Sequence, residues 1–396
     1  MDRLEMLLRH VKLSVAPFIG AISRQSSDPQ NTSHGEARAT ALEVLTNEVR
    51  PVLVECGKLN SCDEKAEVSG SLACWQERQV VLERISCALT NAIFRVECPS
   101  TGARALLRVF GEGSELFVDR ALEESVLEVA SQLRNATKTL AFFNNGRIEE
   151  WIDGAALTAT QFRSPKISSQ IADSLGQFHR LPIPAELAPC NPIARLQAMQ
   201  KIVQNTVAKG AHTRLSGYSE TMALLDATAP ALKHYLQLLE ERLPSDSSKA
   251  VIVHADVQHL NIMYHEGHDR LYLIDFEYSH AAPAALDIAN AFCEWAADYL
   301  SEQGHALDYT KYPTTEEQRR FLSVYLTSRL QRDPTPQELS ELEADVAVYV
   351  PWSHMYWGLW GLQHALVEIG FDYLAYSRQR FNQFQISVEA CTAATQ

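Results

Sequence analysis

Residues 251–278 read VIVHADVQHLNIMYHEGHDRLYLIDFEY, and the reading of this stretch decides the fold. Val251, Ile252 and Val253 are apolar and β-branched, as a short buried strand requires. They run into a polar turn that holds His254, Asp256, Gln258 and Asn261. Residues 261–264 form a second short strand, and residues 265–270, with Gly267, form a hairpin turn. Residues 271–274 are a further apolar strand, which delivers Asp275 and Glu277 at its end. A single hairpin thus gathers an imidazole, an amide and several carboxylates.

The spacing gives these groups a chemistry. His254-x-Asp256, with Asn261 five residues after the aspartate, resembles the H-x-D-x-x-x-x-N catalytic loop of protein kinases. Asp275 falls where that fold keeps its metal-binding aspartate, after the next hairpin. Phosphoryl transfer needs hard oxygen ligands for Mg²⁺, which Asn261 and Asp275 can supply. It also needs a carboxylate that orients the attacking hydroxyl and accepts its proton, which Asp256 can do. A polar hairpin with ordinary capping residues is the bland alternative. The asparagine at the right offset and the apolar strand ending in aspartate favour the catalytic reading.

The 396 residues suffice for a two-lobed enzyme, and 46% hydrophobic with 21% charged residues is ordinary globular composition. A net charge of −14 argues against nucleic acid as the main partner. No apolar run is long enough for a membrane-spanning helix. The 8 cysteines show no paired metal spacing and read as free thiols of a reducing, cytoplasmic compartment. Residues 1–75 read as a helical extension with amphipathic patterns over 1–25 and 36–50, suited to packing or dimer formation rather than to a membrane surface.

Residues 76–152 read as a small lobe of strands. Strands over 92–97 and 105–110, turned at 99–102, fit a hairpin that covers a nucleotide. Arg108 lies inside the apolar run LLRVFG (106–111), where a guanidinium is costly unless paired. That is the place of the kinase strand lysine that holds ATP phosphates. Its carboxylate is expected on a helix over 121–133, with Glu124 preferred to Glu123 and Glu128. Two short strands flank Asn144-Asn145-Gly146, and Glu149, Glu150, Trp151 and Ile152 form a hinge whose backbone could meet adenine. Residues 153–396 read as a large, mainly helical lobe, with helices over 167–180, 193–207, 221–243, 286–300, 315–330, 336–370 and 371–390. Thr314 with Glu317 and Thr335 with Glu338 are capping boxes. His179 reads as a core or surface histidine.

Tyr349, Trp352, Tyr356, Trp357, Trp360, Tyr373 and Tyr376 crowd the last helices. Helical spacing of this kind usually means core packing. Such density can also form a cage for a quaternary ammonium, with Glu294 adding charge complementarity.

HADVQHLN, LIDFEY and LDIANAFCEW together resemble the choline/ethanolamine kinase family, and the resemblance covers roughly residues 80–385. It implies an α+β, two-lobed protein-kinase-like fold with a small antiparallel-sheet N-lobe, ATP and Mg²⁺ as cofactors, and a homodimer. ISCALTN (85–91) is similar to the family's nucleotide loop, which brings in Ser86, Thr90 and Asn91. ESVLEV (124–129) is similar to the helix that pairs with the strand arginine. The resemblance makes Asp256 the base with Gln258 beside it, Asn261 and Asp275 the metal ligands with Glu277 in support, and Asp287 a brace for the catalytic loop. It lines the amine pocket with Glu294, Tyr299, Trp357, Trp360 and Tyr376, and it brings Arg380 near. FCEWAADY (292–299) and WGLW (357–360) are similar to the choline-preferring branch. The sequence departs from the family at Cys87 and Ala88, where glycines are usual, at Ala255 in place of asparagine, and at Leu260 in place of glycine. The expected activity is phosphorylation of choline. The rivals are an ethanolamine kinase, an aminoglycoside-type phosphotransferase, and a nucleotide-binding scaffold without turnover.

Overall fold

The computed structural model describes residues 81–85, 91–98, 102–110, 119–143, 146–208, 217–243, 250–365 and 371–393. The helices expected in residues 1–75, and the loop with Ser86, Cys87, Ala88 and Thr90, lie outside the described residues. The chain divides into two compact units, Met1–Arg120 with Thr137–Asp153, and Ala121–Ala136 with Gly154–Gln396.

The smaller unit is built on a sheet of five strands: β1 (Val81–Ile85), β2 (Asn91–Cys98), β3 (Ala103–Phe110), β4 (Thr139–Phe143) and β5 (Gly146–Glu150). Their order is β1-β2-β3-β5-β4, and every pairing is antiparallel. Ala103, Ala105, Leu107 and Val109 alternate into the core along β3, as a two-residue period demands.

The larger unit is mainly helical. Helix α1 (Arg120–Ala130) leads into it, and the segment after α1 is tied by Leu273 N–H, which donates to Asn135 O at 2.8 Å. Then come β6 (Ala155–Ala156), α2 (Ala159–Arg163), α3 (Pro165–Phe178), α4 (Pro192–Ala208), α5 (Tyr218–Ala227) and α6 (Ala229–Arg242). The single helix expected over 221–243 is two helices. Pro230 lacks an N–H and opens the second one near its N-terminus, so the first stops at Ala227. The decisive stretch folds as β7 (Val251–Val253), β8 (Ile262–His265) and β9 (Arg270–Leu273), followed by β10 (His280–Ala282). β8 pairs with β6 and β9, and β7 pairs with β10. In the hairpin turn Asp269, not Gly267, takes the left-handed conformation, at φ 47.

The last helices are α7 (Ala284–Glu294), α8 (Thr315–Leu330), α9 (Pro336–His364) and α10 (Tyr373–Ala393). Both expected capping boxes are formed, at Thr314 and Thr335. Helix α7 ends before residue 300, because Ala296 O is taken by Asp308 N–H at 2.8 Å and Ala297 bridges Leu307. Pro351 interrupts the hydrogen-bond ladder of α9 and frees the carbonyl of Ala347, which accepts from the Cys391 thiol at 3.1 Å. Among the described residues no helix is long and apolar enough to cross a membrane.

Candidate active site

The base loop hangs on one buried carboxylate. Asp287, in the first turn of α7, accepts the N–H of His254 and of Ala255, both at 2.7 Å. It also accepts His179 Nε2–H at 3.0 Å, and His179 Nδ1 takes the Tyr325 hydroxyl at 2.9 Å. Burial holds His179 below its ordinary pKa, so it serves as a neutral donor. Burial works to raise the Asp287 carboxyl, but its interactions with His179 and His254 together outweigh this and hold it below its ordinary value. Both backbone donors reach Asp287 with Ala255 at φ 65, a left-handed conformation that disfavours alanine and that asparagine tolerates better. The usual family residue at this position thus has a backbone reason. Leu260, the other departure in the loop, is not among the left-handed residues.

His254 is engaged at both nitrogens. Nε2–H donates to Ile274 O at 2.9 Å, and Nδ1 accepts Asp256 N–H at 3.3 Å. It ties the base loop to the end of β9. Gln258 caps the short 3₁₀ turn over His259–Asn261, its side-chain oxygen accepting Leu260 N–H at 2.8 Å. Asn261 Nδ2 donates to Asp256 Oδ2 at 2.6 Å and to Asp256 O at 3.0 Å. That commits the amide nitrogen and leaves the amide oxygen as the group able to ligate. Asp275 follows β9 at φ 67, with Glu277 two residues on.

Burial pushes the Asp256 carboxyl well above its ordinary range. The charges of Glu294, Asp275 and Glu277 push the same way, and the Asn261 bond opposes them. A carboxylate raised by carboxylate neighbours marks a site that a cation relieves. The donors fit Mg²⁺, which takes oxygen ligands, one or two carboxylates among them.

Aromatic rings extend from this cluster. Tyr278, at the end of the decisive stretch, meets Trp357 edge-on at 5.4 Å between ring centroids, and its hydroxyl accepts Trp360 Nε1–H at 2.9 Å. Trp357 meets Trp360 at 5.3 Å, Trp360 meets Tyr373 at 5.7 Å, and Tyr373 meets Phe371 at 4.7 Å. Phe371 lies 6.3 Å from Tyr299 and 5.8 Å from Tyr376. Tyr299 donates to Glu294 Oε2 at 2.7 Å, and Arg380 donates to Glu294 Oε1. The early end of α7 makes the Tyr299 bond possible, since five residues along a continuous helix would carry that ring off the Glu294 face. All the proposed amine-lining residues therefore fall into one connected group. Trp357 also has a packing role, for its Nε1–H donates to the buried Asn290 at 2.7 Å.

Sequence reasoning missed Tyr278, Asn290 and Phe371. Tyr278 follows Glu277 directly, which is a usable signal. Asn290, one turn past Asp287 on α7, and Phe371 carry none.

In the smaller unit Arg108 is 4% exposed and donates to Glu149 at 2.9 Å, and Arg147 donates to the same oxygen at 2.7 Å. One partner of Arg108 thus stands on the neighbouring strand, β5. Of the three helix carboxylates weighed, Glu123 is buried, Glu124 half-buried and Glu128 exposed. Asn91 is buried at the start of β2. Glu150 N–H is taken by Lys138 O at 2.8 Å, while Trp151 and Ile152 lie past the end of β5. Trp151 donates to Asp153 at 3.1 Å.

The family described as choline/ethanolamine kinase matches residues 82–385. A probable choline kinase of Arabidopsis thaliana is 36% identical over 315 residues, which is 78% of this chain and 86% of that protein. A probable ethanolamine kinase of the same plant is 29% identical over 310 residues, 77% of this chain and 78% of that protein. The crystal structure of a Cryptosporidium parvum choline kinase superposes with a TM-score of 0.66 at 27% identity, covering 81% of this chain and 93% of that one. With its protein-kinase-like fold, its base loop and its match over most of its length, the chain belongs to the choline/ethanolamine kinase family.

Proposed function

We propose that the protein transfers the γ-phosphoryl group of ATP to the hydroxyl of choline, giving phosphocholine and ADP. The observation that carries the reading is the continuity of the site. Asp256, Glu277, Tyr278, Trp357 and Trp360 form one chain of neighbours, so a base and an aromatic wall belong to the same place. The plant choline kinases among its relatives support the same reading.

Asp256 orients the substrate hydroxyl and takes its proton as the new O–P bond forms and the bond to ADP breaks. Asn261 aligns the Asp256 carboxylate through the bond to Oδ2. His254 and Asp287 keep the loop in place through backbone bonds. Mg²⁺, held by Asn261 and Asp275 with Glu277 in support, would neutralise charge on the phosphate oxygens. In the smaller unit Asn91, Arg108 and the backbone of Trp151 and Ile152 are assigned to the nucleotide, along with Ser86, Thr90, Glu124 and Glu150. The reading includes a homodimer, as the family resemblance implies, in the reducing, cytoplasmic compartment that the scattered cysteines suggest.

Ethanolamine is the second reading, and one observation favours it: a carboxylate, Glu294, stands in the amine wall. Phosphorus NMR on a mixture of the full chain, MgATP and one acceptor tests both. Phosphocholine should appear faster than phosphoethanolamine, and an aminoglycoside should give no product. Product from the aminoglycoside alone would overturn the proposal.

A further inference from the structure

We infer that Arg380 decides which amine is accepted: by pairing with Glu294 in the pocket wall it turns a carboxylate that would bind a primary ammonium into part of a neutral wall suited to a quaternary one. The inference deepens the proposed function and rests on it.

Both partners are deeply buried, Arg380 at 0% and Glu294 at 2% side-chain exposure. Each Glu294 oxygen already carries a donor, Arg380 on Oε1 and the Tyr299 hydroxyl on Oε2. A primary ammonium has three N–H groups that need acceptors, and it meets a carboxylate whose best positions are taken. A trimethylammonium has no N–H to satisfy and is held by ring faces and dispersion. The charge balance points the same way. A lone carboxylate attracts any ammonium strongly in a buried site, whereas a contacting Arg–Glu pair offers only the weaker field of a dipole.

Arg380 also occupies an aromatic face of its own. Its guanidinium lies 5.0 Å from the centroid of the Tyr376 ring. The protein's own cation thus uses the Tyr376 face, and the rings left for a substrate are those of Tyr299, Trp357 and Trp360.

Stability alone is a poor reason for this arrangement. A buried ion pair is seldom more stabilising than apolar residues of the same volume. Arg380 Nε has no hydrogen-bond partner among the described residues. The guanidinium also meets His354 Nδ1 at 3.4 Å, and burial keeps that imidazole neutral. Two glycines bring the arginine in. A Cβ on Gly358 would come within 2.5 Å of the Phe381 ring and 3.3 Å of Arg380 Cβ, and a Cβ on Gly361 within 2.5 Å of Ser377 Oγ. The glycines of WGLWG therefore let α10 lie close enough to α9 for Arg380 to reach the wall.

The test is the ratio of kcat/KM for ethanolamine to that for choline. Arg380→Met should raise this ratio by about tenfold or more, because Glu294 is left uncompensated. Arg380→Lys keeps the charge and should hold the ratio within about threefold of wild type. The double variant Glu294→Gln with Arg380→Met removes both charges and should return the ratio to the wild-type range. It also guards against a single variant that fails to fold, since no uncompensated charge remains. Glu294→Gln alone should raise KM for both amines, because the guanidinium then repels either ammonium. Equal losses on both substrates in Arg380→Met, or a double variant whose ratio stays shifted, would show that Arg380 only supports the fold. A wild type that turns over choline while the ratio ignores Arg380 defeats this inference alone. A wild type that turns over neither amine defeats the functional reading and this inference with it.

Discussion

Two carboxylates in this molecule, Glu149 buried and Asp256 half-buried, are driven in opposite directions. Glu149, in the sheet of the smaller unit, sits against two guanidiniums and is lowered to about 2 although burial works against it. Asp256, in the base loop, is raised well above the ordinary range by burial and by three carboxylate neighbours. The contrast separates a carboxylate kept for structure from one kept for work. The first is held in its charged form, and the second is left in surroundings that make it want a proton.

Neutralising each group in turn tests the contrast most directly. Asp256→Asn should cut turnover by about 10²–10⁴-fold, the usual share of a general base. The same change should leave the Mg²⁺-free protein as stable as wild type or more so, because it removes a charge that its neighbours oppose. Glu149→Gln should do the reverse to stability and cost about 3–5 kcal/mol, since it leaves buried guanidiniums facing an amide. Thermal denaturation beside steady-state kinetics reads both, and equal instability in the two variants would erase the distinction.

Acidity sharpens it further. The pKa of Glu149 is lowered on folding, so its stabilisation is present above about pH 4.5 and is lost as pH falls toward about 2. The pKa of Asp256 is raised, so its contribution is present below its unfolded value and is lost as pH rises through the folded one. In Mg²⁺-free buffer the stability gap between Glu149→Gln and wild type should therefore close on acidification below pH 4.5. Any gain from Asp256→Asn should also fade in acid. A gap that ignores pH in both variants would contradict the assignment.

A smaller effect belongs to the rings. Trp357→Ala and Trp360→Ala should each raise the KM for choline by several-fold to about thirtyfold, given roughly 0.5–2 kcal/mol per cation–π contact. The KM values for ethanolamine and ATP should move less. Trp357 is buried and donates to the buried Asn290, whereas Trp360 is half-buried, so the Trp357 variant should lose more thermal stability than the Trp360 variant. Equal damage to all three KM values would return both rings to the core. The smallest effect concerns the backbone of the base loop. Ala255→Gly should relieve the left-handed strain and raise stability by about 0.5–1 kcal/mol.

How much of this was legible follows a physical line. The hairpin of residues 251–278 was readable because β-branched runs, turn residues and the HxD spacing all act within a few residues of one another. The capping boxes at Thr314 and Thr335 were readable for the same reason. The break between α5 and α6 was written in Pro230 and could have been found. The meeting of Arg108 with Glu149 depended on strand register. β5 places Arg147 opposite Arg108 and Glu149 two residues further on, so only the paired sheet shows the carboxylate. Glu294 and Arg380 are 86 residues apart on different helices, and no local pattern joins them. The sequence could mark each as a pocket residue and could not show that one neutralises the other.

That same separation bears on the order in which the protein is made. The base loop and Glu294 leave the ribosome together, and Arg380 follows 86 residues later. Until α10 is synthesised and docks, Glu294 has no guanidinium beside it and resists leaving water. The loop that handles the hydroxyl can therefore form early, while the wall that recognises the amine closes only with the docking of α10. Selectivity for the amine is, on this account, among the last properties a growing chain acquires.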